Sequence, residues 1–312
     1  MRLQILAFLV GVMISTMALA QTELPFTLKT ETGNIEGTLL LPAAKLPVPV
    51  ALIIAGSGPT DRDGNNPMMT NNSLKMLATE LANKGIASLR YDKRGIAASK
   101  SAGPDEKELR FETYIDDAKG WVNMLKKDNS FNQVIVVGHS EGSLIGMVVA
   151  QDTKVSKFVS IAGAGEPAAD ILREQMKDQP AALAAQADPI IAELVKGNTV
   201  DKVSPFMNSL FRPSVQPYLI SWFKYDPQAE IAKLKKPVLV VQGTTDIQVS
   251  VNNANRLHNA NPDSKLVLIE GMNHILKNAD ADRTKNMLTY RKPDLPVNEE
   301  LINAVSSFIL TK

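Results

Sequence analysis

The sequence predicts an α/β fold in which a mostly parallel sheet carries helices on both faces. Short, nearly continuous apolar runs recur along the chain, and each ends in glycine or has one close behind, as expected for strands covered on both sides. Amphipathic helical segments lie between several of these runs, an alternation typical of a doubly wound sheet. With 312 residues, 44% of them hydrophobic, the chain is long enough to bury one large core.

The individual elements follow from local patterns. Residues 24–42 alternate apolar and polar side chains around Thr32-Gly33-Asn34, which predicts an antiparallel hairpin at a sheet edge. The apolar runs predict six buried strands, at residues 48–56, 86–92, 133–138, 157–163, 237–243 and 265–271. The clearest helical segments are residues 72–84, 108–127, 251–259 and 297–310.

Residues 166–225 interrupt this alternation. They contain no convincing buried strand, but they carry alanine-rich helical stretches and a group of Met, Phe, Tyr and Trp side chains. One interpretation is a set of surface helices that pack their own small core. We favour the other, a helical cap inserted between two strands, because ligands in open α/β sheets bind outside the carboxyl ends of the strands, where this insertion begins. The predicted organisation is one domain over residues 21–312 with a cap at about 166–225.

The first twenty residues predict a cleavable secretory signal. They combine Arg2, a ten-residue apolar run from Ile5 to Ile14, and the small-residue site Ala18-Leu19-Ala20 before Gln21. A membrane anchor is the alternative, but a spanning helix needs about 20 consecutive apolar residues. We therefore expect residues 1–20 to be removed, no stable membrane anchor, and a periplasmic or secreted mature protein.

Composition argues against several functional classes. The 34 basic and 33 acidic side chains nearly cancel, so no field attracts nucleic acid. The absence of cysteine and of a His-Glu-x-x-His motif gives no reason to expect a metal. Gly163-Ala164-Gly165 lacks the third glycine of a dinucleotide-binding motif. Asp61-Arg62-Asp63-Gly64 resembles the start of a calcium-binding loop but lacks the later ligands, so we expect a charged turn tied by Arg62. We expect no cofactor.

The segment Gly138-His139-Ser140-Glu141-Gly142 carries the strongest chemical signal. It fits the pattern Gly-x-Ser-x-Gly and lies between an apolar strand and an apolar helix, the context in which this pattern forms a nucleophile elbow. The sharp turn would expose the Ser140 hydroxyl, and the two glycines would avoid side-chain collisions in so tight a passage. The helix that follows would point its positive end at a developing oxyanion. Ser140 is therefore the predicted nucleophile.

A serine nucleophile requires a histidine base and a carboxylate that orients it. Of the three histidines, His139 should point away from the serine, and His258 lies in a helical, half-exposed context. His274 follows the last predicted strand, where a loop can reach back over the sheet, and is the predicted base. Asp246, 28 residues before it, is the predicted carboxylate, because in this arrangement the acid follows the serine and precedes the histidine.

Two other carboxylates are alternatives to Asp246. Glu270 ends a strand close to His274, and Asp263 lies in a turn after Pro262. The oxyanion would be held by two backbone N–H groups, one on Glu141 directly after the nucleophile. The other is predicted on Ser57, in the glycine-rich loop after the first buried strand. The Glu141 side chain is then available to pair with Lys93 or Arg94.

Five segments together resemble the α/β-hydrolase superfamily, and more narrowly bacterial exported or soluble serine esterases. They are GSGPTDRDGN (56–65), YDKRGIAAS (91–99), GHSEGS (138–143), GTTDIQVS (243–250) and GMNHILK (271–277). The resemblance extends over nearly the whole mature chain. It implies the α/β-hydrolase fold with an eight-stranded sheet, a Ser140, His274 and Asp246 triad, and hydrolysis of an ester through an acyl-enzyme.

We therefore expect a serine hydrolase that cleaves small carboxylic esters without a metal or organic cofactor. An aminopeptidase-like serine peptidase is the alternative, because the same triad on the same fold cleaves amides. A third possibility is a non-catalytic binding protein that keeps the fold, since fold does not fix function. The natural ester, the acyl length and the oligomeric state do not follow from the sequence.

Overall fold

The computed structural model describes residues 20–177 and 179–311. The predicted secretory signal, residues 1–20, lies outside this part of the chain except for its last residue. Within the described residues no helix combines the length and the apolar character needed to cross a membrane. The described chain otherwise forms one sheet with helices packed on both faces.

The described strands form a single eight-stranded sheet. They are β1 (Thr22–Thr30), β2 (Gly33–Leu41), β3 (Val48–Ile54), β4 (Ala87–Tyr91), β5 (Phe131–His139), β6 (Lys157–Ile161), β7 (Val238–Gly243) and β8 (Lys265–Ile269). Their order across the sheet is β1-β2-β4-β3-β5-β6-β7-β8. Strand β2 is antiparallel to β1 and to β4, and the other neighbouring pairs are parallel. The predicted mostly parallel sheet is confirmed.

The edge hairpin is confirmed with a small shift in its turn. Strands β1 and β2 pair over their whole length, but Gly33 and Asn34 already pair with Thr30 and Lys29. The turn therefore consists of residues 31–32 and lies slightly before the predicted position. Gly33 opens β2 with a φ of 141°, a backbone conformation that a residue with a Cβ rarely adopts.

Eleven α-helices occur in the described part of the chain. They are α1 (Ser73–Asn83), α2 (Phe111–Lys127), α3 (Glu141–Val149), α4 (Ala168–Lys177), α5 (Ala181–Val195), α6 (Asn208–Phe211), α7 (Gln216–Trp222), α8 (Pro227–Ala232), α9 (Val251–Ala260), α10 (Arg283–Thr289) and α11 (Glu299–Leu310). The four predicted helices correspond to α1, α2, α9 and α11. Helix α2 starts three residues later than predicted, because Glu106–Glu108 form a separate 3₁₀ turn and Arg110 is extended.

The sheet separates two hydrophobic cores. One core lies between the sheet and helices α1 and α11, with Leu77, Leu81 and Val305 fully buried. The other lies on the opposite face under α2 and α3 and continues into the region 166–225, where Trp121 and Phe158 are fully buried. The apolar runs are continuous rather than alternating because both faces of the central strands are covered in this way.

Residues 166–225, called the helical insertion below, consist of α4 to α7 and a 3₁₀ turn at Pro205–Met207. Met207 and Phe211 are buried in the core of the insertion, whereas Phe206 is 77% exposed. Trp222 stacks on Phe111 at the start of α2, with ring centroids 6.0 Å apart and planes 13° apart. The Ser221 hydroxyl also accepts a hydrogen bond from the Phe111 backbone N–H at 2.8 Å. The insertion is therefore anchored to the first turn of α2.

Candidate active site

Ser140 lies at the turn between β5 and α3, at the carboxyl edge of the sheet. Its φ of 55° and ψ of −122° are a strained combination for a residue with a side chain. The turn is held from both sides, because the Ser140 N–H donates to the Ile161 carbonyl and its carbonyl accepts from the Ser143 N–H. Strain of this kind persists where the surrounding structure imposes it, and here it directs the hydroxyl out of the sheet edge.

The two glycines of the turn are required by close packing. A Cβ on Gly138 would lie 2.2 Å from the Gly142 carbonyl oxygen, and one on Gly142 would lie 2.2 Å from the Ile54 carbonyl oxygen. Both distances are too short for a Cβ atom beside a backbone oxygen, so a side chain at either position would displace the backbone. The spacing Gly-x-Ser-x-Gly therefore reflects the contact of the first turn of α3 with β5 and with the end of β3.

His274 and Asp246 meet on the loops that follow β8 and β7. His274 Nδ1 lies 2.8 Å from Asp246 Oδ2, and the two side chains are 6% and 1% exposed. Because a carboxylate oxygen accepts, the proton of the neutral imidazole resides on Nδ1 and the lone pair on Nε2. The Ser140 hydroxyl forms no hydrogen bond with this ring within the described chain; such bonds often form only once substrate is bound.

The Asp246 carboxylate has partners for both oxygens. Oδ1 accepts from the backbone N–H groups of Gln248 and Val249 at 2.8 and 3.0 Å, and Oδ2 accepts from Gln242 Nε2 at 2.9 Å in addition to the imidazole. Burial alone would raise the pKa of Asp246, but His274 and the backbone donors outweigh it and lower that pKa. The carboxylate therefore stays ionised and fixed in orientation.

The other candidates from the sequence lie elsewhere. Glu270 and Asp263 are exposed, and within the described part of the chain neither forms a hydrogen bond or an ion pair with His274. His258 is half-buried, and its Nδ1 lies 2.9 Å from the Ser264 hydroxyl. The structure thus brings His274 together with Asp246 and with neither of the alternative carboxylates.

His139 touches the histidine loop in a way the sequence did not reveal. Its Nε2 lies 2.8 Å from the His274 carbonyl oxygen, and because a carbonyl only accepts, this nitrogen carries the proton. Burial, followed by the nearby His274, lowers the pKa of His139 to about 4. The residue before Ser140 is therefore a neutral donor that joins the β5–α3 turn to the loop of His274.

A buried amide cluster joins the acid loop to the histidine loop. Asn273 Nδ2 donates to Asn286 Oδ1 and to Thr289 Oγ at 3.0 and 2.8 Å. Asn286 in turn donates from Nδ2 to the Thr245 carbonyl at 2.8 Å. Asn273 and Asn286 are both fully buried. Residues flanking Asp246 and His274 are thereby tied to one point on α10.

Two backbone N–H groups beside Ser140 form no hydrogen bond within the described chain, those of Ser57 and Glu141. Glu141 is the first residue of α3, where the N–H groups have no intrahelical partner. Gly56 approaches so closely that a Cβ there would lie 3.0 Å from Ser140 Cβ and 3.5 Å from its Oγ. These two N–H groups could stabilise an anionic oxygen bonded to a carbon that Ser140 attacks.

Ser140 opens into a cavity of about 680 Å³. One wall consists of loops at the sheet edge, including Ser57 and Lys93, and the facing wall comes from the helical insertion, including Tyr218 and Trp222. Burial, followed by the nearby Glu141 carboxylate, raises the pKa of Tyr218. The cavity has the size typical of small-molecule sites and a predominantly apolar insertion-side wall.

The acidic side chains that line the cavity are all engaged in ion pairs. Glu141 pairs with Lys93 at 3.1 Å, Glu166 with Arg256 at 3.0 Å, and Glu106 with Arg212.

Within the part of the chain that the structure describes, no group of three or more His, Asp or Glu side chains is arranged to hold a metal ion. The chemistry that this arrangement can perform is nucleophilic attack by a serine with a histidine base.

The turn Asp61-Arg62-Asp63-Gly64 is tied by ion pairs, as the sequence suggested for Arg62. The Arg62 guanidinium lies 2.7 Å from Asp92 Oδ2, and the Arg62 N–H donates to Asp92 Oδ1 at 2.8 Å. Asp92 also accepts from the Ala98 N–H at 3.1 Å. Asp92 therefore fixes the loop after β4 and lies outside the reacting group.

Comparison with known proteins agrees with this architecture. A family model described as "Serine aminopeptidase, S33" matches residues 70–212, which include the elbow but neither Asp246 nor His274. Among solved structures, Est1E from Butyrivibrio proteoclasticus superposes with a TM-score of 0.62, covering 92% of this chain and 99% of that one at 18% identity. The esterase Pf2001 of Pyrococcus furiosus superposes with a TM-score of 0.59, covering 93% and 91% at 16% identity. The chain therefore has the α/β-hydrolase fold.

At the level of sequence the chain resembles an esterase. It is 26% identical over 265 residues to Esterase EstD of Thermotoga maritima, a match covering 81% of this chain. The matched region spans 60% of the length of that esterase, so the relative contains a considerable portion with no counterpart in the match.

Proposed function

We propose that the protein is a serine hydrolase that cleaves carboxylic esters through an acyl-enzyme. Ser140 Oγ attacks the acyl carbonyl while His274 Nε2 takes its proton, and Asp246 stabilises the resulting imidazolium. The N–H groups of Ser57 and Glu141 hold the oxyanion. His274 then returns the proton to the leaving alcohol. Water, deprotonated by the same nitrogen, releases the acyl group as a carboxylate and restores Ser140.

The observation that carries this proposal is the 2.8 Å contact between the Asp246 carboxylate and His274 Nδ1. This contact leaves the Nε2 lone pair available at the sheet edge that also presents Ser140. A core histidine would be satisfied equally well by a backbone carbonyl, as His139 is. A buried carboxylate at this position costs desolvation and stabilises a cationic imidazole, which favours a base that becomes protonated during the reaction.

The charges of the cavity support an ester rather than a peptide substrate. An aminopeptidase binds the ammonium group of its substrate, and a buried ammonium requires a carboxylate partner. Glu106, Glu141 and Glu166 already pair with arginine or lysine side chains. A neutral acyl ester enters without breaking any of these pairs. The described esterase relative is consistent with this choice.

We further propose that the helical insertion acts as the cap of this site. Tyr218, Leu219 and Trp222 line the cavity opposite Ser140, so the acyl or alcohol portion of the ester would contact them. The export signal is likewise a proposal, with cleavage after Ala20 and a periplasmic or secreted product. Mass analysis of protein produced in a bacterial host would show a mature chain beginning at Gln21, and an intact Met1 would contradict it.

Steady-state kinetics on matched substrates test the function. Residues 21–312 are assayed with p-nitrophenyl acetate and butyrate, and with alanine p-nitroanilide as the amide, beside a Ser140→Ala variant. We expect ester hydrolysis that disappears in the variant and an amide rate lower by about 10²-fold or more, given the absence of a free carboxylate for the ammonium. A higher kcat/KM for the anilide would replace the esterase by the peptidase. No turnover with a folded protein would favour a binding protein.

A further inference from the structure

Lys93 lines the cavity, two residues after the end of β4, with a side chain that is 1% exposed. Its Nζ donates to the Gly56 carbonyl at 2.6 Å and to Glu141 Oε1 at 3.1 Å. The same nitrogen lies 5.1 Å from the centre of the Tyr114 ring. A buried ammonium needs hydrogen-bond partners, and these particular partners connect Lys93 to the residues beside Ser140.

One partner is the carbonyl of the Gly56–Ser57 peptide, whose N–H beside Ser140 is free within the described chain. The other is the side-chain carboxylate of Glu141, the residue that carries the second such N–H. The Gly56 carbonyl and the Ser57 N–H belong to one peptide group, and this bond is trans. In a planar trans peptide the carbonyl and the N–H point in opposite directions. Because Lys93 holds the Gly56 oxygen, the Ser57 N–H points away from Lys93, and the adjoining Gly56 Cα lies against the Ser140 side chain.

We propose that Lys93 is the positioning residue of the oxyanion hole, which fixes the Gly56–Ser57 peptide against Ser140 and neutralises the Glu141 carboxylate behind it. This inference rests on the proposed serine hydrolase function. A hydrogen bond from an ammonium to a carbonyl also polarises the amide, which makes the Ser57 N–H a stronger donor. Without the ammonium, the buried negative charge of Glu141 would oppose the negative charge that develops in the transition state.

The test separates a positioning effect from a general loss of stability. Lys93→Met/Glu141→Gln removes both charges and the donor to Gly56, whereas Glu141→Gln alone keeps that donor. Asp117→Asn serves as the control, because it weakens the equally buried Arg94–Asp117 pair without touching either peptide. Each variant is assayed with p-nitrophenyl acetate, and its melting temperature is measured. The affinity for a trifluoromethyl ketone is also measured. A serine hydroxyl adds to the carbonyl of this ketone and forms a tetrahedral adduct whose oxyanion occupies the oxyanion hole.

We expect Lys93→Met/Glu141→Gln to lower kcat by about 10- to 10²-fold, somewhat less than the loss of a whole donor, with KM changed by less than about threefold. Ketone affinity should fall by the same factor as kcat. Asp117→Asn should retain kcat and ketone affinity within about threefold. The double variant should show its losses relative to Glu141→Gln as well, from which it differs only at residue 93. A double variant that keeps both, or an Asp117→Asn protein that loses both equally, would overturn the inference.

Two further outcomes are distinguishable. If Lys93→Met/Glu141→Gln does not fold, Glu141→Gln is compared with Lys93→Leu/Glu141→Gln, which also lacks a donor to the Gly56 carbonyl but fills the site with a different apolar side chain. Equal ketone affinity in those two folded variants overturns the inference. A wild-type protein that neither hydrolyses the ester nor binds the ketone refutes the proposed function itself, and the inference with it. An active wild type whose Lys93 variants match it refutes the inference alone.

Discussion

Two sides of the site, the loops that carry Asp246 and His274 and the helical insertion that lines the cavity, are built by different forces. The loops after β7 and β8 are held by hydrogen bonds. Asp246 has partners for both oxygens, and Asn286 joins the Thr245 carbonyl of one loop to the Asn273 side-chain amide of the other. The helical insertion opposite is held mainly by packing of rings and aliphatic side chains, such as Trp222 on Phe111. Hydrogen bonds are directional and fix atoms to fractions of an ångström, whereas apolar packing tolerates exchange of side chains of similar volume. The comparison suggests that the chemistry resides on the first side and substrate choice on the second.

The most severe test of this division is the carboxylate. In Asp246→Asn the amide can donate to His274 Nδ1, which places the imidazole proton on Nε2, where it cannot act as a base. We expect kcat to fall by about 10³- to 10⁴-fold with an unchanged KM, as loss of the correct tautomer predicts. Glu270→Gln, at the other carboxylate near the histidine in sequence, should retain full activity. The kcat and KM of both variants are measured with p-nitrophenyl acetate. A large loss of kcat in Glu270→Gln with full activity in Asp246→Asn would show that Glu270 is the carboxylate that orients His274.

His139 connects the elbow to the hydrogen-bonded side, and its effect should depend on pH. Its pKa is about 4 in the folded protein against an ordinary value of 6.5, so between these values the unfolded chain binds a proton that the folded chain does not. Stability therefore falls as pH falls from 6.5 to 4, by about 3 kcal/mol in total. His139→Gln, which can still donate to the His274 carbonyl, should remove this contribution. Urea unfolding at several pH values measures it, and an unchanged slope in the variant would contradict the assignment.

Asn286 tests whether the two loops are held from α10. Asn286→Ala leaves the Thr245 carbonyl and one Asn273 N–H without their partner, at a cost of about 2 kcal/mol in the free energy of unfolding. We expect kcat to fall about tenfold as the loops loosen. Asn261→Ala is the matched control, because this buried amide also donates to two backbone carbonyls, at the far side of the domain. The control should lose similar stability and no activity, and equal loss of kcat in both would refute the positioning effect.

The smallest effect is expected on the packed side. Trp222→Leu should change the preference between acetate and longer acyl esters by about 3- to 10-fold in kcat/KM, with kcat for acetate nearly unchanged, because only apolar contact with the substrate is altered. Phe206→Leu, on the exposed surface of the same insertion, serves as the control and should change neither. Acyl-chain profiles of the two variants check this. A loss of kcat for acetate in Trp222→Leu would place the insertion in the chemical machinery.

The same division explains what the sequence could predict. The strands, the elbow and the carboxylate with its histidine follow local signals, because a tight turn demands glycine and a buried strand demands apolar residues. Gln242, His139 and Asn286 were not recognised as partners of the site, because each acts through a contact fixed by how distant segments fold together. Asn286 lies on α10, a seven-residue helix with little apolar periodicity of its own. The environment of each aromatic residue of the insertion could not be predicted for the same reason. Phe211 is buried in the core, Trp222 lines the cavity, and Phe206 is exposed on the surface.

The central claim is that Ser140 becomes acylated during turnover. The most direct measurement mixes residues 21–312 with excess p-nitrophenyl butyrate, quenches in acid within the first turnovers, and determines peptide masses after proteolysis. We predict a burst of p-nitrophenol and a butyryl group on the peptide that contains Ser140, both lost in Ser140→Ala. Turnover with the acyl group on another residue, or hydrolysis that persists in Ser140→Ala, would contradict it.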